Sequence, residues 1–370
     1  MTLRPDIKRF LLKLLLLTLP ALLLVGGVNL LADPAHLFQG AAYEAGIARL
    51  LAQGQNVAGL GDYDDRLVQK SYVSDLSRAP EILVLGSSRA MQIRATQFPG
   101  FTFFNAAVAE GTLGDAEAIL QLYLERGLPP RLVIISLDPW DLQEPDWLTR
   151  WKSLYRERAA MLAQLGLPAL SGGPDRLAGW RKWSQLFSPS YFQASSRALA
   201  HRLSDDATSG RHGYYPTMER AANVPIKLAD GSLVYDKKMR EKTAAAVEQE
   251  AKTYAANWQS QFRKVARVKP AGKAELEALV GYLQAQGIRV CFYLGPYHPT
   301  VYAEMRDQHG YRIGGDLEDY IRELGARLGV TVVGSYDPVR AGVTAADFFD
   351  GLHVKDTGAA KVFTGFDAGE

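Results

Sequence analysis

Cysteine occurs once in the 370 residues, so no intrachain disulfide is available. Cys291 lies inside the apolar run "VCFYL", the setting of a buried structural thiol rather than a reactive one. Histidine is scarce as well, at 6 residues, and no Cys/His cluster has zinc-site spacing. Neither charge sign dominates: 42 Lys and Arg against 40 Asp and Glu leave +2, which excludes a strongly basic surface for nucleic acid. One long apolar run lies near the N-terminus and no second run of that kind follows, so several membrane spans are excluded. What remains is a chain 47% hydrophobic and 22% charged, which is globular composition.

The apolar run extends from Phe10 to Leu31, interrupted by Lys13, Thr18 and Asn29. As a helix it spans about 33 Å, enough to cross a bilayer. Arg4, Lys8, Arg9 and Lys13 lie on its N-terminal side and Asp33 follows it. The positive-inside rule therefore predicts a cytoplasmic N-terminus and a large domain across the membrane, with Lys13 snorkelling to the interface. A cleaved signal peptide is the alternative, but the run is long for one. "NLLADPA" is also a poor cleavage site, with leucine at the key upstream position. The expectation is a retained single-pass anchor over residues 1–32 in the cytoplasmic membrane, with the soluble part periplasmic or extracellular.

Residues 33–79 mix short helical patterns with polar residues and read as a membrane-proximal lead-in. Three strands are predicted in 80–143: "EILVLG" (81–86), "FTFFNAA" (101–107) and the wholly apolar "RLVIISL" (131–137). A helix is predicted over Leu113–Arg126, between the second and the third. Residues 144–265 hold no strand of this type and read as a partly helical insertion. Alternation resumes in 266–370, with helix 273–287, strand 288–294, helix 317–329, strand 330–336 and a short helix from Asp356. Strands alternating with helices imply an α/β fold around a parallel sheet covered on both faces. Ligands of such sheets bind at the carboxyl ends of the strands.

The residues after each strand are therefore the place to look. They include Gly86-Ser87-Ser88-Arg89, then Asn105 with Glu110-Gly111-Thr112, and Asp138-Pro139-Trp140-Asp141. Gly295-Pro296-Tyr297-His298 and "DFFDGLH", with Asp347, Asp350 and His353, complete the edge. A serine nucleophile needs a histidine base, and the histidine needs an acid to fix its tautomer. Asp350-Gly-Leu-His353 supplies base and acid on one turn. Taken alone, Gly-Ser-Ser is a plain turn and Asp-x-x-His a surface or capping feature; their order around one α/β core is what points to chemistry.

The Gly86-Ser87-Ser88 block, the stretch from Asn105 to Thr112, and Asp350-x-x-His353 resemble the SGNH (GDSL-like) hydrolase superfamily. With its N-terminal anchor the chain looks most like a divergent branch. That branch includes the D-alanine transfer protein of lipoteichoic acid modification and the alginate O-acetylation proteins. The resemblance covers residues 80–142 and 270–370. It implies a three-layer flavodoxin-like sandwich, with Ser88 as nucleophile, His353 as base, Asp350 as orienting acid, and no metal or cofactor. The family's second block usually offers a glycine N–H to the oxyanion; that position is Glu110 here, with Gly111 one residue later. The third block usually offers an asparagine, and Trp140 stands there instead, as a tryptophan does nearby in the divergent branch. The Ser88 N–H, expected to open a helix, is a further donor.

Around this triad, Arg89 is expected either to pair with Asp138 or Asp141 or to bind substrate. Tyr297 and His298 either line an acceptor site or belong to an exposed rigid loop between Pro296 and Pro299. Trp140 is a cleft wall or a packed residue, and Asp347 is expected to be solvated. Trp180, Trp183, Tyr191, Tyr214, Tyr215 and Trp258 of the insertion form a small satellite core or a sugar-stacking platform. The function expected is an extracytoplasmic serine acyltransferase that acylates an envelope polysaccharide or glycan. Resemblance further implies a multipass membrane acyltransferase as partner. A deacylating esterase with the same triad and a non-catalytic scaffold are the alternatives.

Overall fold

The computed structural model describes residues 4–34, 38, 41–143, 148–170, 183–204, 213–262, 268–307 and 313–369. They divide into two compact units. One comprises Met1–Tyr43, Gly59–Tyr63 and Gly173–Tyr215; the other comprises Glu44–Ala58, Asp64–Gly172 and Pro216–Glu370.

In the first unit, helix α1 runs over Pro5–Ala32 and is long and apolar enough for a membrane span or a signal sequence. Its surface is exposed through Leu24 and partly covered beyond. The cover comes from residues 183–204, including the helix Pro189–Ser204. Asn29 is buried there, its amide donating to the Leu186 carbonyl at 2.8 Å.

The second unit is built on five parallel strands: β1 (Ile82–Leu85), β2 (Phe103–Asn105), β3 (Leu132–Ser136), β4 (Arg289–Leu294) and β5 (Thr331–Gly334). Their order is β2-β1-β3-β4-β5. Leu83 stands opposite both Phe104 and Val133, and Ile135 opposite Phe292. Every residue of β1 and β3 is buried, because a parallel sheet is covered on both faces. Ile82, Val84, Leu132, Ile134, Cys291 and Tyr293 pack on one face against Met91, Ile93, Phe98 and Phe363. The alternate residues Leu83, Leu85, Val133 and Phe292 are equally buried. Each predicted strand is present, shortened by one to four residues in all where its ends turn into loops.

Helix α2 (Asp65–Asp75) comes from the lead-in and packs on α3 (Leu113–Glu125). The pairing is specific: Arg66, fully buried, donates to both Asp115 carboxylate oxygens at 2.7 and 3.1 Å and to the Ala109 carbonyl at 2.9 Å. The lead-in thus braces the loop between β2 and α3. Helix α4 (Ala244–Phe262) belongs to the segment read as an insertion. Helix α5 (Pro270–Ala285) buries Leu276, Leu279, Val280 and Leu283, and α6 (Ile313–Leu328) buries Leu317, Ile321 and Leu324. Among the described residues of 144–265, none joins the parallel sheet. Ile226–Lys227 and Leu233–Val234 instead pair antiparallel with each other, and Ile226–Lys227 also with Asn56–Ala58. That small sheet is tied to the core where Leu233 N–H donates to the Met91 carbonyl at 3.0 Å and Asn105 N–H to the Asp230 carbonyl at 2.7 Å.

The strand order reverses direction beside β1, between β2 and β3. In open α/β sheets the crevice at such a point, outside the carboxyl ends, receives ligands. Ser88 leaves β1 at that edge.

Candidate active site

β1 ends because Gly86 turns the chain with φ 142°, and a Cβ there would lie 2.5 Å from that of Ser136 on β3. Only glycine permits this approach. Ser87 then caps a single 3-10 turn, Ser88–Ala90, its hydroxyl accepting the Arg89 N–H at 3.2 Å. The helix expected after Ser88 is therefore one short turn, too short for a helix dipole to act.

Ser88 Oγ stands 2.9 Å from His353 Nε2, and His353 Nδ1 stands 2.8 Å from Asp350 Oδ2. Nδ1–H donates to the carboxylate, which leaves Nε2 to accept the serine proton. The loop carrying the pair is tightly specified. Asp350 Oδ1 accepts the N–H groups of Leu352 and His353 at 2.7 and 2.8 Å. Phe349 N–H donates to the His353 carbonyl at 2.9 Å, and Lys355 N–H to the Asp347 carbonyl at 2.7 Å. Burial pushes the Asp350 carboxyl up, but the His353 ring and the two N–H donors outweigh it and hold the group down at about 2.

The loop from Asn105 to Thr112 lies against the serine turn. A Cβ on Gly111 would fall 2.3 Å from the Gly86 carbonyl oxygen and 3.0 Å from Ser87 Cα, so this residue too must be glycine. Gly111 N–H is already donated to Val108 O at 3.1 Å. Glu110 takes a left-handed conformation with φ 53°, its side chain exposed 3.7 Å from Arg150. The N–H groups of Ser88 and Glu110 have no acceptor among the described residues and are open to a ligand, whereas that of Gly111 is taken. Trp140 is half-buried, and its indole N–H reaches the Gly111 carbonyl at 3.5 Å, a long contact that backs the same loop.

Arg89 is buried beneath the serine turn. It pairs with Asp138, donates to the Gly295 and Pro296 carbonyls, and lies 3.7 Å above the Tyr297 ring. Ser87 donates to Asp138 at 2.5 Å. Asp138 N–H donates to Asp141 at 2.6 Å. Burial first, and Asp138 next, push the Asp141 carboxyl well above the usual range. One network thus ties the ends of β1, β3 and β4 together.

Several expectations need correction. Tyr297 is fully buried under Arg89 and does not line an open acceptor site. His298 is not exposed: it retains 1% of its surface. Its N–H donates to the Gly351 carbonyl at 3.2 Å, and its Nδ1 accepts from Thr300 N–H at 3.3 Å. Burial lowers its pKa against the opposing pull of Glu248 and Asp350. Asp347 is not solvated: it is buried, caps the turn at Thr344 and holds Lys361 at 2.7 Å. Cys291, by contrast, is buried as expected, and burial pushes its thiol up to about 12. Of the aromatic residues considered as a platform, Trp180 and the side chain of Trp258 lie outside the described residues. Trp183, Tyr191, Tyr214 and Tyr215 belong to the first unit, not the unit holding the triad.

Two residues near the triad escaped the sequence reading. The Tyr235 ring meets the His353 ring edge-on at 5.8 Å, and burial, then Asp350, raises its phenol pKa. Tyr254 on α4 backs Gly351, its Cβ 3.3 Å from where a Cβ there would sit. Both come from the segment read as an insertion, where no motif marks them.

Among known proteins, no family model, no curated sequence and no solved structure matches the chain.

Proposed function

We propose that the chain is a membrane-anchored serine acyltransferase of the SGNH type, built on a flavodoxin-like sandwich and working outside the cytoplasm. The single observation that carries this reading is the contact of Ser88 Oγ with His353 Nε2 at 2.9 Å, with His353 held by Asp350. The strand order β2-β1-β3-β4-β5 agrees with the flavodoxin-like arrangement. The basic residues before α1 and the acidic Asp33 after it support an N-terminus inside and a domain outside.

In the proposed reaction Ser88 Oγ attacks the acyl carbonyl carbon while His353 Nε2 takes the serine proton. The carbonyl oxygen becomes an oxyanion, for which the N–H groups of Ser88 and Glu110 are the donors. The tetrahedral species collapses, the bond to the leaving oxygen breaks, and that oxygen takes the proton from His353. The acyl group, acetyl in this proposal, now sits on Ser88. A sugar hydroxyl of an envelope polysaccharide gives its proton to His353 and attacks the ester, restoring the serine. A multipass membrane acyltransferase is the proposed donor partner.

The test is direct. A fluorophosphonate probe labels the wild-type chain and fails to label Ser88→Ala. Wild type incubated with an activated acetyl ester and an oligosaccharide gives O-acetylated sugar, and Ser88→Ala gives none. Release of free acetate with no acylated sugar assigns the esterase reaction instead. Absence of labelling in wild type overturns the enzyme reading and leaves a scaffold.

A further inference from the structure

The first unit holds an exposed aromatic segment whose position relative to α1 is specific. α1 is uncovered from Pro5 through Leu24, a length of about 30 Å at the helical rise, which is the thickness of a bilayer's hydrocarbon core. Protein cover begins where that length ends. From there the donors of Asn29 and the carboxylate of Asp33 meet protein partners, while Asn29 Oδ1 is buried without one among the described residues. The Asn29 amide donates to the carbonyls of Leu186 and Gln185 at 2.8 and 3.4 Å. Tyr191 donates its hydroxyl to Asp33 Oδ1 at 2.7 Å. The Phe38 ring stands 5.6 Å from that of Trp183 and 6.1 Å from that of Tyr191. Protein partners for the Asn29 NH2 and the Asp33 carboxylate suit a helix end that leaves an apolar phase.

The same segment leaves large apolar surface bare. Trp183 and Phe187 each keep 54% of their surface exposed, although Phe187 touches α1 beside Gly26. Arg197, further along the helix Pro189–Ser204, is exposed as well. Bare tryptophan and phenylalanine docked at the end of an apolar helix of bilayer length, with an exposed arginine on the helix that follows, match the chemistry of the headgroup–acyl boundary.

We propose that Trp183–Leu199 is a second membrane-contacting element, an aromatic collar seated in the outer lipid interface around the emerging anchor. The surface that covers Trp183 and Phe187 is phospholipid, and the collar fixes the depth and tilt of α1. This rests on the reading of α1 as a retained anchor, so the test separates the two. The full chain carrying Trp183→Cys, Phe187→Cys or Leu17→Cys is labelled with an environment-sensitive fluorophore. The wild-type chain, whose Cys291 is buried, is the blank. Each is reconstituted in phosphatidylcholine–phosphatidylglycerol vesicles with lipids spin-labelled near the headgroup or deep in the acyl chain.

The expected result is loss of fluorescence at positions 183 and 187 chiefly with the shallow label, and at 17 chiefly with the deep label. Strong quenching at 17 with water-like, unquenched emission at 183 and 187 overturns the collar and leaves the anchor standing; a protein partner would then be the cover. Unquenched emission at all three sites overturns the anchor and the collar together. Two collar positions are used so that a poorly folded variant at one is checked by the other.

Discussion

Asp350 shows how much a single side chain is asked to do. One carboxylate oxygen orients His353 and the other closes the loop through two backbone N–H groups. Asp350→Asn presents an amide to Nδ1 and favours the wrong tautomer; the rate should fall by about 10³–10⁴-fold, read as acyl transfer or as the rate of probe labelling. Because its folded pKa lies below the usual 3.8, Asp350 contributes stability that is complete above that value and lost as pH falls through about 2. The shift corresponds to about 2 kcal/mol. The gap in melting temperature between wild type and Asp350→Asn should therefore narrow as pH is lowered from about 5 to about 2; a constant gap would contradict the linkage. Arg89 is the other pivotal residue. Arg89→Met leaves the Asp138 carboxylate buried without its cation and should cost about 3–5 kcal/mol in denaturant unfolding. Arg89→Met with Asp138→Leu should recover most of that loss; no recovery would mean that the pair is not the source of the cost.

Ser88, Asp350 and His353 were legible because their spacing within two short motifs is chemical. Arg89 was legible only as a choice of partners. Its partners Asp138 and Gly295 lie 49 and 206 residues away, and nothing local distinguishes a guanidinium aimed inward from one aimed at a ligand. The burial of His298 was not legible for the same reason, since prolines mark a rigid loop but not what covers it.

At the scale of elements, the serine turn and the loop from Asn105 to Thr112 act as one piece, because Gly111 packs directly on the Gly86 carbonyl. Gly111→Ala forces the two apart. It should cost about 1–3 kcal/mol and slow probe labelling of Ser88 while far-UV circular dichroism stays unchanged. Labelling at the wild-type rate would show that the contact does not position the serine. The five core strands were legible as short, largely apolar runs, and α3, α5 and α6 as the helices that alternate with them. The strands of two or three residues in the small antiparallel sheet were not, since so short a segment carries no period. Nor was the role of α2: the residue that ties it to the loop before α3 is a buried arginine, Arg66, which in a sequence reads as surface.

For the molecule as a whole, the described residues form two units, and α1 belongs to the one without Ser88, Asp350 and His353. Truncation separates the bare part of α1 from its covered end. A chain beginning at Val25 keeps Asn29 and Asp33 with their partners. A chain beginning at Pro34 strips the Leu186 carbonyl and the Tyr191 hydroxyl of theirs. Limited proteolysis should cut residues 183–204 much faster in the second chain than in the first; equal rates would mean that the end of α1 does not hold this segment.

The sequence by itself determined the bilayer-length apolar helix, the five strands and the helices between them, and the serine, aspartate and histidine that meet at one site. Each of these is written in neighbouring residues, through runs, periods and short motifs governed by local sterics and hydrophobicity. Only the tertiary structure decided the order β2-β1-β3-β4-β5, the burial of Arg89, Tyr297 and His298, and the meeting of Ser88 with His353 across 265 residues of chain. Those depend on which distant surfaces cover one another when the sheet assembles, and a residue's own neighbours carry no record of that.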